Sequence, residues 1–184
     1  SSGNVMWFCI LLMVYCMDLL EAIKLRRSVR RFKKREVPMD IILKLIDYAR
    51  YAPSSKNRQP WYFIITRDKD KIVEVSRIKG EDWIAKAPVL IIAISDPKVS
   101  PRYHMSDTAM AIHNMSLAAL EFGLGTCWIG VYEDESVKQL FGIPEEKVLV
   151  GALAVGYPDE SPTMRPRKSL GETVFIEQYG VRMD

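Results

Sequence analysis

"VLIIAIS", residues 89–95, follows Pro88 and holds six apolar side chains in seven positions. A run of that length without polar alternation suits a strand buried on both faces. Such a strand needs a helical layer above and below it, so its neighbours decide the fold class. WYFIIT (61–66) has the β-branched and aromatic content of a second strand. Between the two, Asp68 and Asp70 open a short helix carrying Ile72, Val73 and Val75 that ends near Gly80. Downstream, residues 103–122 read as a helix apolar around much of its circumference, hence central, with Gly123 placed to terminate it. TCWIGV (126–131) is short and strand-like, residues 135–141 form a small helix ending at Gly142, and 148–155 repeats the buried-strand pattern. On the N-terminal side, Asp18 caps a helix whose Leu19, Leu20, Ile23 and Leu25 share a face. Pro38 and Asp40 open another, with Ile41, Ile42, Leu45, Ile46 and Ala49 at helical spacing, broken at Pro53. Strands alternating with helices around one very apolar helix predict an α+β (α/β layered) domain, a central sheet flanked by helices. The stretch after Tyr157, dominated by Pro, Arg and Lys until TVFIEQY, carries too little periodicity for a second domain and is expected to wrap something.

The chain of 184 residues is 48% apolar and 27% charged, an ordinary globular balance for one domain, taken here as 17–184. A net charge of +3 does not draw the whole molecule to nucleic acid or an anionic membrane. Cys9, Cys16 and Cys127 make an odd count without a C-x-x-C pair, and His104 and His113 are the only histidines. Neither a disulfide framework nor a metal site is expected, and a reducing cytoplasm fits. Cys127, in an apolar context, reads as a small buried residue. Residues 1–16 differ from the rest: the apolar run 5–15 is too short to span a bilayer and lacks a basic leader and a small-residue cleavage site. They read as an extension or cloning remnant ahead of a helix pattern that begins at Met17-Asp18.

Charge concentrates in RRSVRRF (26–32), four arginines in seven positions. Taken alone, it is a solvated basic turn or an anion site. A nucleic-acid surface spreads basic and aromatic residues along a face, whereas here Asp18, Glu21, Glu36 and Asp40 flank the cluster. One compact dianion, held by several guanidinium groups with Ser28 adding a hydroxyl, suits it better. A second basic group, Arg165, Arg167 and Lys168, lies far along the chain. PSSKNRQPW (53–61) gathers Ser54, Ser55, Asn57 and Gln59 on a turn stiffened by two prolines, either a plain polar turn or a rigid hydrogen-bonding edge for a planar ligand. GLGTCWIG (123–130) sets small residues before Trp128, where backbone comes close to a flat ring unless the indole is simply core.

In order and spacing these stretches, with G-Y-P-x-E-x-P…R-P-R-K at 156–168, resemble the FMN-dependent nitroreductase family of flavoenzymes. The resemblance runs from about Met17 to Leu170. It implies the nitroreductase-like fold, with a mixed sheet and a C-terminal tail reaching onto a partner subunit. It also implies FMN at the interface of a homodimer, NAD(P)H as electron donor and a small-molecule acceptor such as a nitroaromatic or quinone, reduced in a ping-pong cycle. Carried over by position, Arg26 is a phosphate ligand, Arg27 contributes mainly backbone, and Ser28 contacts phosphate or ribityl. Arg30 is the catalytic cation near the ring, and Arg165 and Arg167 close on the phosphate. Pro53, Ser54, Ser55, Asn57 and Gln59 belong to the loop that reaches the flavin of the other subunit; Cys127, Trp128, Ile129 and Gly130 lie beside its ring. RIKGEDWIAKAP (77–88) lacks the Asn and Lys that larger members present to the pyrimidine side, which leaves the acceptor open. Two other readings stay in view: a specialised relative that dehalogenates or fragments flavin, and a non-catalytic basic module for nucleic acid.

Overall fold

A computed structural model describes residues 17–183; the reading of residues 1–16 lies outside them. Four strands form one sheet, β1 (Trp61–Thr66), β2 (Val89–Ser95), β3 (Gly125–Ile129) and β4 (Val148–Gly156), in the order β1-β2-β4-β3. Each neighbouring pair is antiparallel. The expected mixed sheet is therefore antiparallel throughout its four strands, and the parallel pairing is the isolated bridge between Ser28 and Thr126. Helix-length connections are compatible with either sense, so the alternation of elements predicted the layers but not the strand direction.

The helices are α1 (Leu19–Leu25), α2 (Met39–Ala49), α3 (Lys69–Lys79), α4 (His104–Glu121), α5 (Glu135–Leu140) and α6 (Leu170–Thr173). VLIIAIS is buried at every position, and its alternate residues serve two cores. Val89, Ile91 and Ala93 pack with Ile42 and Leu45 of α2 and Ile112 and Met115 of α4. Leu90, Ile92 and Ile94 pack with Ile72 and Val75 of α3 and Val137 of α5. At about 1.5–3 kcal/mol for each large apolar side chain removed from water, these two layers dominate the stability of the domain.

Local signals explain most boundaries. Asp68 accepts from the amides of Asp70 and Lys71 to start α3, and Gly80 closes it with φ +67°. Ser169 and Glu172 form a reciprocal capping box on α6. The α1 pattern has a different outcome. Its helix forms, with the Asp18 carboxylate accepting from Leu20 N, yet Leu19, Leu20, Ile23 and Leu25 remain 51–64% exposed and only Ala22 is buried. Among the described residues nothing covers that face.

Candidate functional site

The arginine stretch is not a free turn. Val29 N donates to Thr126 O (2.9 Å), which lays residues 28–29 along the outer edge of β3. Val29 packs so closely there that a Cβ on Gly125 would lie 2.8 Å from its methyl group. On the other side, residues 157–160 run antiparallel to the loop: Lys33 N donates to Tyr157 O and Asp159 N to Arg31 O, both at 2.8 Å. The Arg31 side chain donates to Asp159 O through Nε (3.2 Å) and Nη2 (3.1 Å). Glu160 Oε1 accepts from two consecutive amides, Arg30 N (2.7 Å) and Arg31 N (3.1 Å). Segments about 130 residues apart in sequence thus meet at this loop.

Two adjoining cavities follow from that meeting. One, of about 370 Å³, lies between α1, the C-terminal half of α4 and the start of a C-terminal arm (residues 157–169), and includes Arg26, Arg27 and Glu160. The other, of about 240 Å³, is lined by Arg26, Ser28, His113, Ser116, Thr126, Cys127 and Trp128. Arg26, Ser116 and Thr126 line both. The Arg27 side chain folds back onto the end of α1, Nη1 donating to Lys24 O (2.6 Å) and Arg26 O (2.9 Å). Its Nε is buried without a partner. That orphan donor, the Arg26 guanidinium and three hydroxyls suit the phosphate and polyol end of a ligand; Trp128 supplies an aromatic surface.

The Trp128 indole is 42% exposed and lies against the backbone of β4, where a Cβ on Gly151 would come within 2.7 Å of Cζ2. Cys127 and Ile129 are buried. Burial pushes the Cys127 thiol up, with Arg30, Ser28 and Arg26 near enough to oppose that in part. Cys127 is therefore a wall and not a nucleophile. Gly130 is exposed, its carbonyl accepting from Lys79 Nζ (2.7 Å). The guanidinium of Arg30 stands 5.9 Å from the Trp83 ring, whose Nε1 donates to Glu81 Oε2 (2.7 Å).

Arg30 is exposed and lines neither cavity, and two other predicted groups lie elsewhere. Arg165 and Arg167 are exposed on the arm and line neither cavity, Arg167 Nη1 donating to Arg165 O (2.8 Å). The 53–59 loop sits at the opposite end of α4, with Ser55 N donating to Asp107 Oδ2 (3.1 Å). Asp107 and Ser116 are separated by about 13 Å of helix axis. Pro53 and Asn57 are exposed, Ser54 Oγ accepts from Gln59 N (3.0 Å) and Gln59 Nε2 donates to Asn57 O (3.0 Å). Sequence reasoning passed over Glu160, Trp83 and Asp107. Glu160 had a signal, as the acid of the G-Y-P-x-E-x-P run, whereas nothing local marks Asp107 or Trp83.

The sequence profile of the Nitroreductase family matches residues 23–87 and 75–157. A Methanothermobacter thermautotrophicus protein named "Putative NADH dehydrogenase/NAD(P)H nitroreductase" is 39% identical over 81% of this chain and 82% of its own. An "Iodotyrosine deiodinase" of Thermotoga neapolitana is 28% identical over 83% of this chain and 95% of its own. Among solved structures, an "FMN-dependent Nitroreductase" of Clostridium difficile superimposes with a TM-score of 0.78 at 27% identity, over 87% of this chain and 99% of the other.

Proposed function

Because the chain belongs to the nitroreductase family, we propose that it is a cytoplasmic FMN-dependent oxidoreductase. It takes a hydride from NAD(P)H and passes two electrons to a nitroaromatic, quinone or related small acceptor in a ping-pong cycle. One observation carries this reading: the arginine loop is fixed along β3, so that Arg26, Ser28 and Trp128 share one cavity. FMN, when bound, supplies the hydride and two-electron chemistry. The chain's own residues bind and polarise. Arg26, Ser28 and the Arg27 segment hold the phosphate and ribityl end, and Cys127, Trp128, Ile129 and Gly130 border the ring. Arg30, whose guanidinium lies close enough to Cys127 to act on its thiol, would offer a positive charge to the ring and favour negative charge there. Arg165 and Arg167, exposed further along the chain, would add two cations to the phosphate end.

The 53–59 loop stands at the far end of α4 from these cavities. Its role is therefore assigned across a homodimer, with Pro53, Ser54, Ser55, Asn57 and Gln59 reaching the flavin held by the other subunit. One isologous interface then generates two equivalent sites. The apolar face of α1 and the exposed Met110, Ile176 and Tyr179 offer surface for such an interface.

The test is colour and turnover. Purified protein is expected to be yellow, to release FMN on denaturation and to oxidise NAD(P)H with a nitroaromatic or quinone; a colourless dimer that gains no flavin on reconstitution refutes the proposal and leaves the nucleic-acid module. Arg30→Ala is expected to retain some FMN with a lowered reduction potential in spectroelectrochemical titration, and an unchanged potential removes that role. A second reading, a dehalogenating specialist, is favoured by the likeness to the Thermotoga neapolitana protein. Fast nitro or quinone turnover counts against it.

A further inference from the structure

We propose that Glu160 is a positioning residue of the flavin site: its carboxylate accepts from the consecutive Arg30 and Arg31 amides, fixes the arginine loop before flavin arrives, and moderates the positive charge that Arg30 presents. The inference rests on the FMN reading above. Two successive amides converging on one carboxylate oxygen give it two charge-assisted hydrogen bonds. Here the anion is internal, Oε1 accepting at 2.7 Å and 3.1 Å. The ligand's phosphate must then be met by side chains, which is the task left to Arg26 and Ser28.

The position of Glu160 is over-determined. It follows directly on the antiparallel pairing of Tyr157 and Asp159 with Lys33 and Arg31, and it lines the same cavity as Arg26 and Arg27. Without the carboxylate, the amides of Arg30 and Arg31 have no partner among the described bonds. Between its Val29–Thr126 and Arg31–Asp159 bonds the arginine loop would lose its middle support. A single carboxylate against four arginines also lowers the local positive field, and that field reaches the ring through Arg30. Removing the charge while keeping an acceptor separates these two effects.

Three measurements on full-length protein test this. Hydrogen exchange of the Arg30 and Arg31 amides, read on flavin-free protein, is expected to quicken in Glu160→Ala and to stay near wild type in Glu160→Gln. FMN affinity, by quenching of flavin fluorescence, is expected to fall roughly tenfold in Glu160→Ala, the scale of losing hydrogen bonds to a charged acceptor, and far less in Glu160→Gln. The FMN midpoint potential of Glu160→Gln is expected to rise, since a negative charge near Arg30 is gone. Unchanged exchange in Glu160→Ala, or quickened exchange with unchanged affinity, overturns the positioning role. If Glu160→Ala does not fold, an unchanged potential in Glu160→Gln overturns the electrostatic one. Wild-type protein that binds no FMN instead fails the functional reading, while the exchange result still stands or falls separately.

Discussion

The arginine loop (26–33) and the polar loop (53–59) are both rich in hydrogen-bonding groups, and they are built in opposite ways. The first is held from outside. It lies between β3 and the C-terminal arm, tied by Val29, Arg30, Arg31 and Lys33 to partners some hundred residues distant in sequence. The second is held mostly from within: Asn57 N bonds Ser54 O and Arg58 N bonds Ser55 O, and the Ser54 hydroxyl takes Gln59 N. Its turn uses three non-glycine residues at positive φ, Lys56 (52°), Asn57 (55°) and Gln59 (51°). Asp107 is its side-chain anchor to the helices, through Ser55 N. A loop fixed by remote backbone aims its side chains only when the whole domain has folded. A self-bonded loop keeps its shape as a unit that can be presented to another surface. The contrast matches the roles proposed for them, one binding within its own subunit and one reaching into the other.

The sharpest way to break the contrast is to move the first loop off β3. In Gly125→Ala the new Cβ meets Val29 at 2.8 and 2.9 Å, contacts with a β-branched side chain whose backbone is hydrogen-bonded in place. Overpacking of this kind costs about 1–3 kcal/mol. The arginine loop must shift, so thermal stability and FMN affinity are expected to fall together. Asp107→Ala attacks the second loop. Leaving Ser55 N without its acceptor costs about 1–3 kcal/mol, and Asp107→Asn less, because it keeps an acceptor. Denaturant unfolding reads the stability of both. FMN titration of each variant then tells whether Asp107 acts at the flavin site, as the dimer proposal requires, or on the fold alone.

The exit of the polar loop gives a pH test. Asp96 N donates to Pro60 O (2.8 Å), and the buried Asp96 carboxylate pairs with Lys147. The hydrogen bond from Lys147 holds that carboxyl below its usual value, against the opposing pull of burial. Its stabilising contribution is therefore complete above the unfolded value of about 4 and lost as pH falls through the lower folded value. Asp96→Asn should be less stable than wild type at pH 6–7, and the gap should close in acid. A gap independent of pH between 2 and 6 would mean that the pair's charge contributes nothing to holding this corner.

These two loops also mark what could be read from residues alone. Runs of one period were legible: VLIIAIS became a strand buried at each position, and Asp68 and Gly80 bounded α3 as capping chemistry requires. The arginine stretch was legible as chemistry, since four guanidinium groups in seven positions have few reasons to exist. Its anchoring was not. Val29–Thr126 and Glu160–Arg30 are contacts across about a hundred residues or more, and pattern within a window carries no information about them. Strand direction was not legible either: the mixed sheet came from the resemblance alone, and the four strands pair antiparallel. In α1 the apolar spacing predicted the helix correctly, but a shared face does not say what covers it, and Leu19, Leu20, Ile23 and Leu25 stay exposed.

The smallest effect tests whether the polar loop stores strain. Lys56 sits at φ 52°, ψ 26°, close to the left-handed region that a Cβ disfavours by roughly 1 kcal/mol. Glycine relieves that cost, but it also gives the unfolded chain more freedom, worth about 0.5–1 kcal/mol in the opposite direction. The two nearly cancel, so Lys56→Gly is expected to change unfolding free energy by less than about 1 kcal/mol, with the 54–59 bonds kept. Lys56→Val sharpens the test: a β-branched residue tolerates this conformation worst, so it should lose more than Lys56→Gly while the arginine loop's exchange protection stays unchanged. If Lys56→Val instead weakened protection at Arg30 and Arg31, the two loops would be coupled within one subunit, and the division of labour drawn from their construction would fail.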